Sequence, residues 1–307
     1  MIDTLVGIVA LTLAAGTPLV IAALGELVVE RSGVLNLGVE GLMLIGAVAG
    51  FIVTVHTHMP WLGVAAAIVA GAAMALVFAI VAVSLQANQV ASGLALSLLG
   101  IGLSAFVGQP YVAAVVDPIK AINWPPLSSL PVLGPLLFAY NPLVYVSVAL
   151  AAGVHLFLLH SRAGLVLRAV GESPRSAHAI GYRVLAIRYA AVLFGGACAG
   201  LAGAYLSLAF TPLWSEGMTS GRGWIALALV VFATWRPYRV LLGAWLFGAV
   251  TLAQFQVQAA GIEIAPQLLA MLPYAATIVV LAWMSRDAAA IRRHSPASLG
   301  KPFHPQR

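Results

Sequence analysis

The stretch GVLNLGVEGLMLIGAVAG, residues 33–50, decides the fold, because it is apolar enough to enter a membrane yet carries Asn36 and Glu40. A membrane span needs about 20 predominantly apolar residues. A carboxylate near mid-bilayer costs on the order of 2.5–3.5 kcal/mol on insertion scales, so a chain keeps one there mainly when it has a partner or a task. The polar stretch GELVVERS, residues 25–32, stands immediately before it. The segment is therefore expected to cross a membrane and to face something polar.

Working outward, the whole chain has this character. Of 307 residues, 62% are hydrophobic and 8% are charged, against roughly 25% charged in soluble domains. The longest polar stretches, 161–189 and 286–307, are too short for a separate globular core. Apolar runs occupy 4–24, 34–56, 61–85, 89–108, 141–160, 190–210, 240–260 and 266–284, with a shorter one at 224–235. The expected fold is all-α: a polytopic membrane helix bundle of about 8–10 spans with broken helices, forming one transmembrane domain over residues 1–307. Turn chemistry marks the breaks at Pro60, Asn123-Trp124-Pro125-Pro126, Asn141-Pro142, Arg236-Pro237 and Ala265-Pro266. The single cysteine, Cys198, lies in an apolar run, which excludes an intrachain disulfide and reads as buried packing. The first residues hold Asp3 and neither Lys nor Arg, unlike a cleaved signal peptide, so the first span is expected to remain as an anchor.

Basic residues orient the spans. Arg162, Arg168, Arg175, Arg183 and Arg188 share one connection; Arg236 and Arg239 mark a second; Arg286, Arg292, Arg293, Lys301 and Arg307 mark the tail. All three are expected on the cytoplasmic side, with 190–210 leading out, 224–235 back, 240–260 out and 266–284 back. For the N-terminus the arginines leave two readings. Five spans before the large loop put it outside, whereas a broken pair over 18–50 puts it inside. The proline-rich segment 111–140 is expected to face outward. Gly46 and Gly50, Gly196 and Gly200, and Gly217 and Gly221 have the spacing that lets membrane helices approach closely.

The connection SRAGLVLRAVGESPRSAHAIGYRVLAIRY, residues 161–189, has helix punctuation that a plain linker does not need. Ser173-Pro174 can start a helix and Gly181 can end it. A short, basic, capped helix between spans suits docking of a soluble partner. Together, GELVVERSGVLNLGVEGLMLIGA (25–47), GESPRSAHAIGYRV (171–184) and GMTSGRGWIALALVVFATWRP (217–237) resemble the permease subunits of ABC importers in the branched-chain amino-acid and ribose permease superfamily. The resemblance is to the nucleoside and simple-sugar branch and runs from about residue 16 to residue 284.

The resemblance implies a subunit that is not an enzyme and takes no cofactor, ATP being bound by a partner ATPase. It implies residence in the bacterial cytoplasmic (inner) membrane as a multi-pass protein in contact with lipid and not with nucleic acid. It also implies three protein partners: a second permease subunit, a cytoplasmic ABC ATPase docked on residues 161–189, and an extracytoplasmic substrate-binding protein. In such loops the family carries Glu-Ala-Ala followed by Gly; here Arg175, Ser176, Ala177 and Gly181 stand at those places, with Glu172 and Pro174 just before. The residues agree on the missing engine. A phosphate cradle ends in Lys-Ser or Lys-Thr, but Lys120 precedes Ala121 and Lys301 precedes Pro302.

A substrate path needs a few polar groups at membrane depth, often on broken helices. One candidate is Asn36 with Glu40, which could line the path or hold helices together. Nearby Glu26, Glu30 and Arg31 read as interfacial residues. A second is WSEGMTSGRGW, residues 214–224, a re-entrant or unwound segment before a short apolar run. There Trp214 could stack on a flat ring or anchor at the interface, and Glu216 could pair with Arg222. Gln89 and Ser92, beside Gln86 and Asn88, open a span, and Gln254, Gln256 and Gln258 stud another. Amides and hydroxyls suit a neutral polyol or nucleoside. His56 and His58 lack acidic or cysteine partners, and no metal site is expected. The alternative is a proton-coupled secondary transporter for a small polar solute working through Glu40 or Glu26; a membrane enzyme would need a nucleophile or metal set that the chain does not show.

Overall fold

The computed structural model describes residues 2–122, 128, 133–259, 265, 268–269, 271–284 and 294–304. The turn at residues 123–126, Pro266, and Arg286, Arg292, Arg293 and Arg307 lie outside them. Among the described residues, seven helices are long and apolar enough to cross a membrane. Two shorter apolar helices account for the remaining runs.

The first helix, α1 (Ile2–Arg31), has 30 residues and so is about 45 Å long. It does not stop where the apolar run does, near residue 24. Glu26 and Glu30 are not interfacial: they are 2% and 1% exposed, because each carboxylate has a donor supplied from elsewhere in the bundle. Helix α2 (Val39–Thr57) follows after a non-helical crossing of residues 32–38. Then come α3 (Pro60–Ala79), extended by a π-helical turn at Ile80–Ser84, and α4 (Gln89–Gly108), capped by Asn88. Helix α5 (Pro142–His160) starts on the Asn141 cap.

The arginine-rich connection holds two helices where the sequence suggests one. Helix α6 (Arg162–Glu172) starts on the Ser161 side chain and turns Gly164, Leu167 and Val170 inward. Helix α7 (Pro174–Ala179) has the expected Ser173 cap, with Pro174 in its first turn and Gly181 beyond it at φ +95°. Helix α8 (Val184–Tyr205) runs into a π-helical turn at Leu206–Phe210. Last are the short α9 (Arg222–Phe232), α10 (Pro237–Ala259) and α11 (Leu272–Met284).

Glycine brings α2, α3 and α8 together. A Cβ on Gly46 would collide with Gly200 of α8, and one on Gly200 would collide with the Ala67 carbonyl of α3. The 46/50 and 196/200 pairs are thus helix crossings, as their spacing suggests. Gly217 and Gly221 are not; they sit in a turn at φ +65° and +76°. Helix α1 packs centrally, against α5, α8, α9 and α10.

Contacts settle the direction of α1. Ala14 accepts from the Tyr205 hydroxyl at the far end of α8 (2.9 Å), whereas Arg31 donates to the Trp235 carbonyl at the arginine-rich end (3.0 Å). The start of α1 therefore lies at the end opposite the 161–189 connection, which matches the reading of five spans before it. At that opposite end residues 111–122 lie across the bundle: Val115 bridges Leu213, and Ile119 donates its N–H to Leu208.

At the arginine-rich end the tail forms a strap. Ser298 donates from its N–H and hydroxyl to the Gly171 carbonyl, and the Gly300 N–H donates to the Gly33 carbonyl. Arg188 donates to Lys301, Gln86 donates to Phe303, and Phe303 is buried with Val170, Ala177 and Val184. The strap joins α6, α7 and the 32–38 crossing.

Candidate functional site

Two interruptions meet inside the bundle. One is the 32–38 crossing between α1 and α2; the other is the 211–221 segment between α8 and α9. A broken helix frees backbone groups that must find partners away from water. Here buried side chains supply them. Glu26 Oε1 accepts from the Asn36 N–H (3.1 Å), Asn36 Oδ1 from the Gly38 N–H (2.9 Å), and Gln89 Oε1 from the Leu35 N–H (2.8 Å). The Ser97 hydroxyl donates to the Leu37 carbonyl (2.9 Å).

Glu40 ties the second interruption to the first. Its Oε1 accepts from the Thr219 hydroxyl (2.6 Å) and the Gly221 N–H (2.8 Å), and its Oε2 from the Gly223 N–H (2.6 Å). Arg222 and Gly223 open α9, so the carboxylate sits where unpaired N–H groups and the helix dipole favour negative charge. A Cβ on Gly223 would lie 2.5 Å from the Glu40 backbone, so this approach requires glycine. At the other end of α9, Glu30, one helical turn on from Glu26, accepts from the Trp235 indole N–H (2.5 Å).

Beside this junction two adjoining cavities of about 400 and 260 Å³ share Ala15, Ser220, Arg222 and Thr251 as walls. Ser215, Gln254 and Tyr274 add polar groups, and Leu19, Phe210 and Phe247 add apolar surface. The Tyr274 hydroxyl donates to the Ser220 carbonyl. Arg222 donates to the carbonyls of Met218 and Thr219 (3.1 and 3.2 Å), which holds its guanidinium at the cavity wall. This size, and a mostly apolar wall with a few convergent polar groups, suit a small-molecule site.

The sequence-derived candidates divide accordingly. Arg222 and Gln254 line the cavities. Asn36, Glu40 and Gln89 are buried and hold the interruptions. Trp214 is 1% exposed, packed with Val116, Ile119 and Tyr140, and presents no free ring face. Glu216 is exposed and forms no pair with Arg222 among the described residues; Ser92 lies half-buried in the first turn of α4, apart from the cavities. Gln256 and Gln258 are exposed. Sequence reading held Ser220 only as part of the 214–224 segment and missed Thr251 and Tyr274, since isolated hydroxyls in apolar runs carry no spacing signal. His56 bonds the Tyr111 hydroxyl (2.8 Å), and no metal-binding cluster occurs among the described residues.

The sequence profile described as branched-chain amino acid transport system / permease component matches residues 8–281. The chain is 42% identical, over 95% of its length and 96% of the relative's, to a putative glucose ABC transporter permease protein of Haloferax volcanii. It is 35% identical to a nucleoside ABC transporter permease protein of Lactococcus lactis, covering 92% and 93% of the two chains. A guanosine ABC transporter permease protein of Bacillus subtilis is 34% identical, covering 78% and 79%. No solved structure matches the chain.

Proposed function

The chain belongs to the family of branched-chain amino acid transport system permease components, and from that membership we propose how its geometry moves a solute. It is the membrane-spanning permease subunit of an ATP-driven ABC importer for nucleosides or simple sugars, a multi-pass protein of the inner membrane. It is a transport subunit and not an enzyme; the nucleotide is hydrolysed on a separate ATPase subunit.

The cargo passes the cavity beside the Glu40 junction. One observation carries this reading: the cavity wall combines the hydroxyl oxygens of Ser220, Thr251 and Tyr274, the Gln254 amide and the Arg222 guanidinium with the Phe247 ring, while the neighbouring carboxylate is consumed by three donors within the protein. Hydroxyls, an amide and an aromatic face suit a neutral sugar or nucleoside. Asn36, Glu40 and Gln89 shape the path by fixing the two interruptions. A second permease subunit completes the pore. The cytoplasmic ATPase docks on α6 and α7, with Glu172, Pro174, Arg175, Ala177 and Gly181 at the contact, and an extracytoplasmic binding protein delivers cargo at the end where residues 111–122 lie.

Uptake of labelled guanosine and of labelled glucose into vesicles holding this chain with its ATPase and binding protein tests the assignment. Uptake of one of them should require ATP and survive collapse of the proton gradient. Uptake that follows the proton gradient without ATP refutes it.

A further inference from the structure

A second polar cavity, of about 380 Å³, lies at the arginine-rich end between α1, α5, α6 and the start of α10. Arg31, Arg168 and Arg236 line it with His155, Tyr238 and Trp235. Its cations are held by neutral acceptors. Arg31 donates to the carbonyls of His294 (3.1 Å) and Trp235 (3.0 Å), and Arg236 donates to the Tyr238 hydroxyl (3.1 Å) and lies 3.1 Å from His294 Nε2. Such acceptors fix a guanidinium without cancelling its charge. Two carboxylates lie near the three guanidiniums and act on Arg31 through space, but their hydrogen bonds go elsewhere: Glu30 accepts from the Trp235 indole, and Glu172 from the Ala297 N–H (3.3 Å). Nε of Arg31, Nε of Arg168 and Nδ1 of His155 are buried without a hydrogen-bond partner among the described residues. Buried donors are rarely left so.

We propose that this cleft binds the phosphate of an anionic membrane phospholipid on the cytoplasmic side. Planar guanidinium forks match phosphate oxygens, and basic pockets between helices on the cytoplasmic side suit lipid headgroups. The surroundings favour a lipid over a soluble phosphate. From the rim at Tyr238 an exposed stripe, Tyr238, Leu242 and Leu246, follows α10 at four-residue spacing, 45%, 60% and 49% exposed. Four-residue spacing keeps the stripe on one helix face, where an acyl chain attached to the bound phosphate would lie. Leu159 of α5, 48% exposed, extends the apolar rim. A free anion has no use for that surface.

The test is thermal melting of the delipidated full-length chain in detergent, titrated with phosphatidylglycerol, with phosphatidylcholine or with inorganic phosphate. Phosphatidylglycerol should raise the melting temperature saturably, and Arg168→Gln should raise the half-saturating concentration about fivefold, the effect of one cation at a lipid headgroup. Arg168→Lys keeps the charge and loses the fork, and should fall between; if Arg168→Gln does not fold, this variant carries the comparison. Equal stabilisation by phosphatidylcholine, equal stabilisation by inorganic phosphate alone, or no change in half-saturation in the folded variants would each overturn the proposal.

Discussion

Glu40 shows how one side chain can hold two chain breaks at once. Its carboxylate is 5% exposed and accepts from Thr219, Gly221 and Gly223. Glu40→Gln puts an NH₂ group where at least one of those donors points, and leaving a buried donor unsatisfied costs about 1–3 kcal/mol. Glu40→Leu removes every acceptor. The amount of folded protein, read by fluorescence-detected gel filtration, should fall in both variants and further in Leu, while uptake per folded molecule persists in Gln. A proton carrier would instead lose specific uptake in both without loss of folded protein. Thr251→Val and Gln254→Leu should behave oppositely, with normal folding and a KM for uptake raised about tenfold, the loss of roughly 1.4 kcal/mol of binding. The presence of a buried acid at position 40 was legible in the sequence. The choice between lining the path and holding helices together was not, because its partners lie 179–183 residues away.

At the level of elements, apolar runs located the spans, because lipid requires each to be long, apolar and internally hydrogen-bonded. They failed where charge is compensated from a distance. Helix α1 continues through Glu26 and Glu30 because Asn36 and Trp235 supply the donors, and no local pattern announces that. In the 161–189 connection the caps at Ser173 and Gly181 were readable. Helix α6 was not, since exposed Leu165 and half-buried Val166 blur the contrast with its short inward face of Gly164, Leu167 and Val170. Gly181 supports a test of α7. Its Cβ position is open, with nothing within 4 Å, but its φ is +95°. Gly181→Val therefore strains the backbone without a clash. The variant should insert normally in the membrane, and ATPase binding and coupled uptake should both fall several-fold; unchanged binding would make the connection a linker.

Across the whole molecule, the basic residues and the contacts agree on which parts share an end: Arg31, the 161–189 connection, Trp235 and the strap all meet there. With α1 starting at the other end, a cysteine placed at position 4 should react with an impermeant maleimide added from outside. The natural Cys198 stays silent, being 5% exposed. Labelling from the cytoplasmic side alone would reverse the topology. A chain ending at residue 293 loses the strap bonds to Gly33, Gly171 and Gln86 and the buried Phe303. It should still insert, but melt several degrees lower and bind the ATPase weakly. The strap also has a consequence in time. Residues 298–303 leave the ribosome after every described span. Until then Gly171, Gly33 and Arg188 have no tail to bond, and the surface offered by α6 and α7 is unfinished. If the ATPase docks on α6 and α7 as proposed, the order of synthesis would hold back recruitment of the motor until every described span of this subunit has been made, so a nascent importer would not burn nucleotide before it has a path to open.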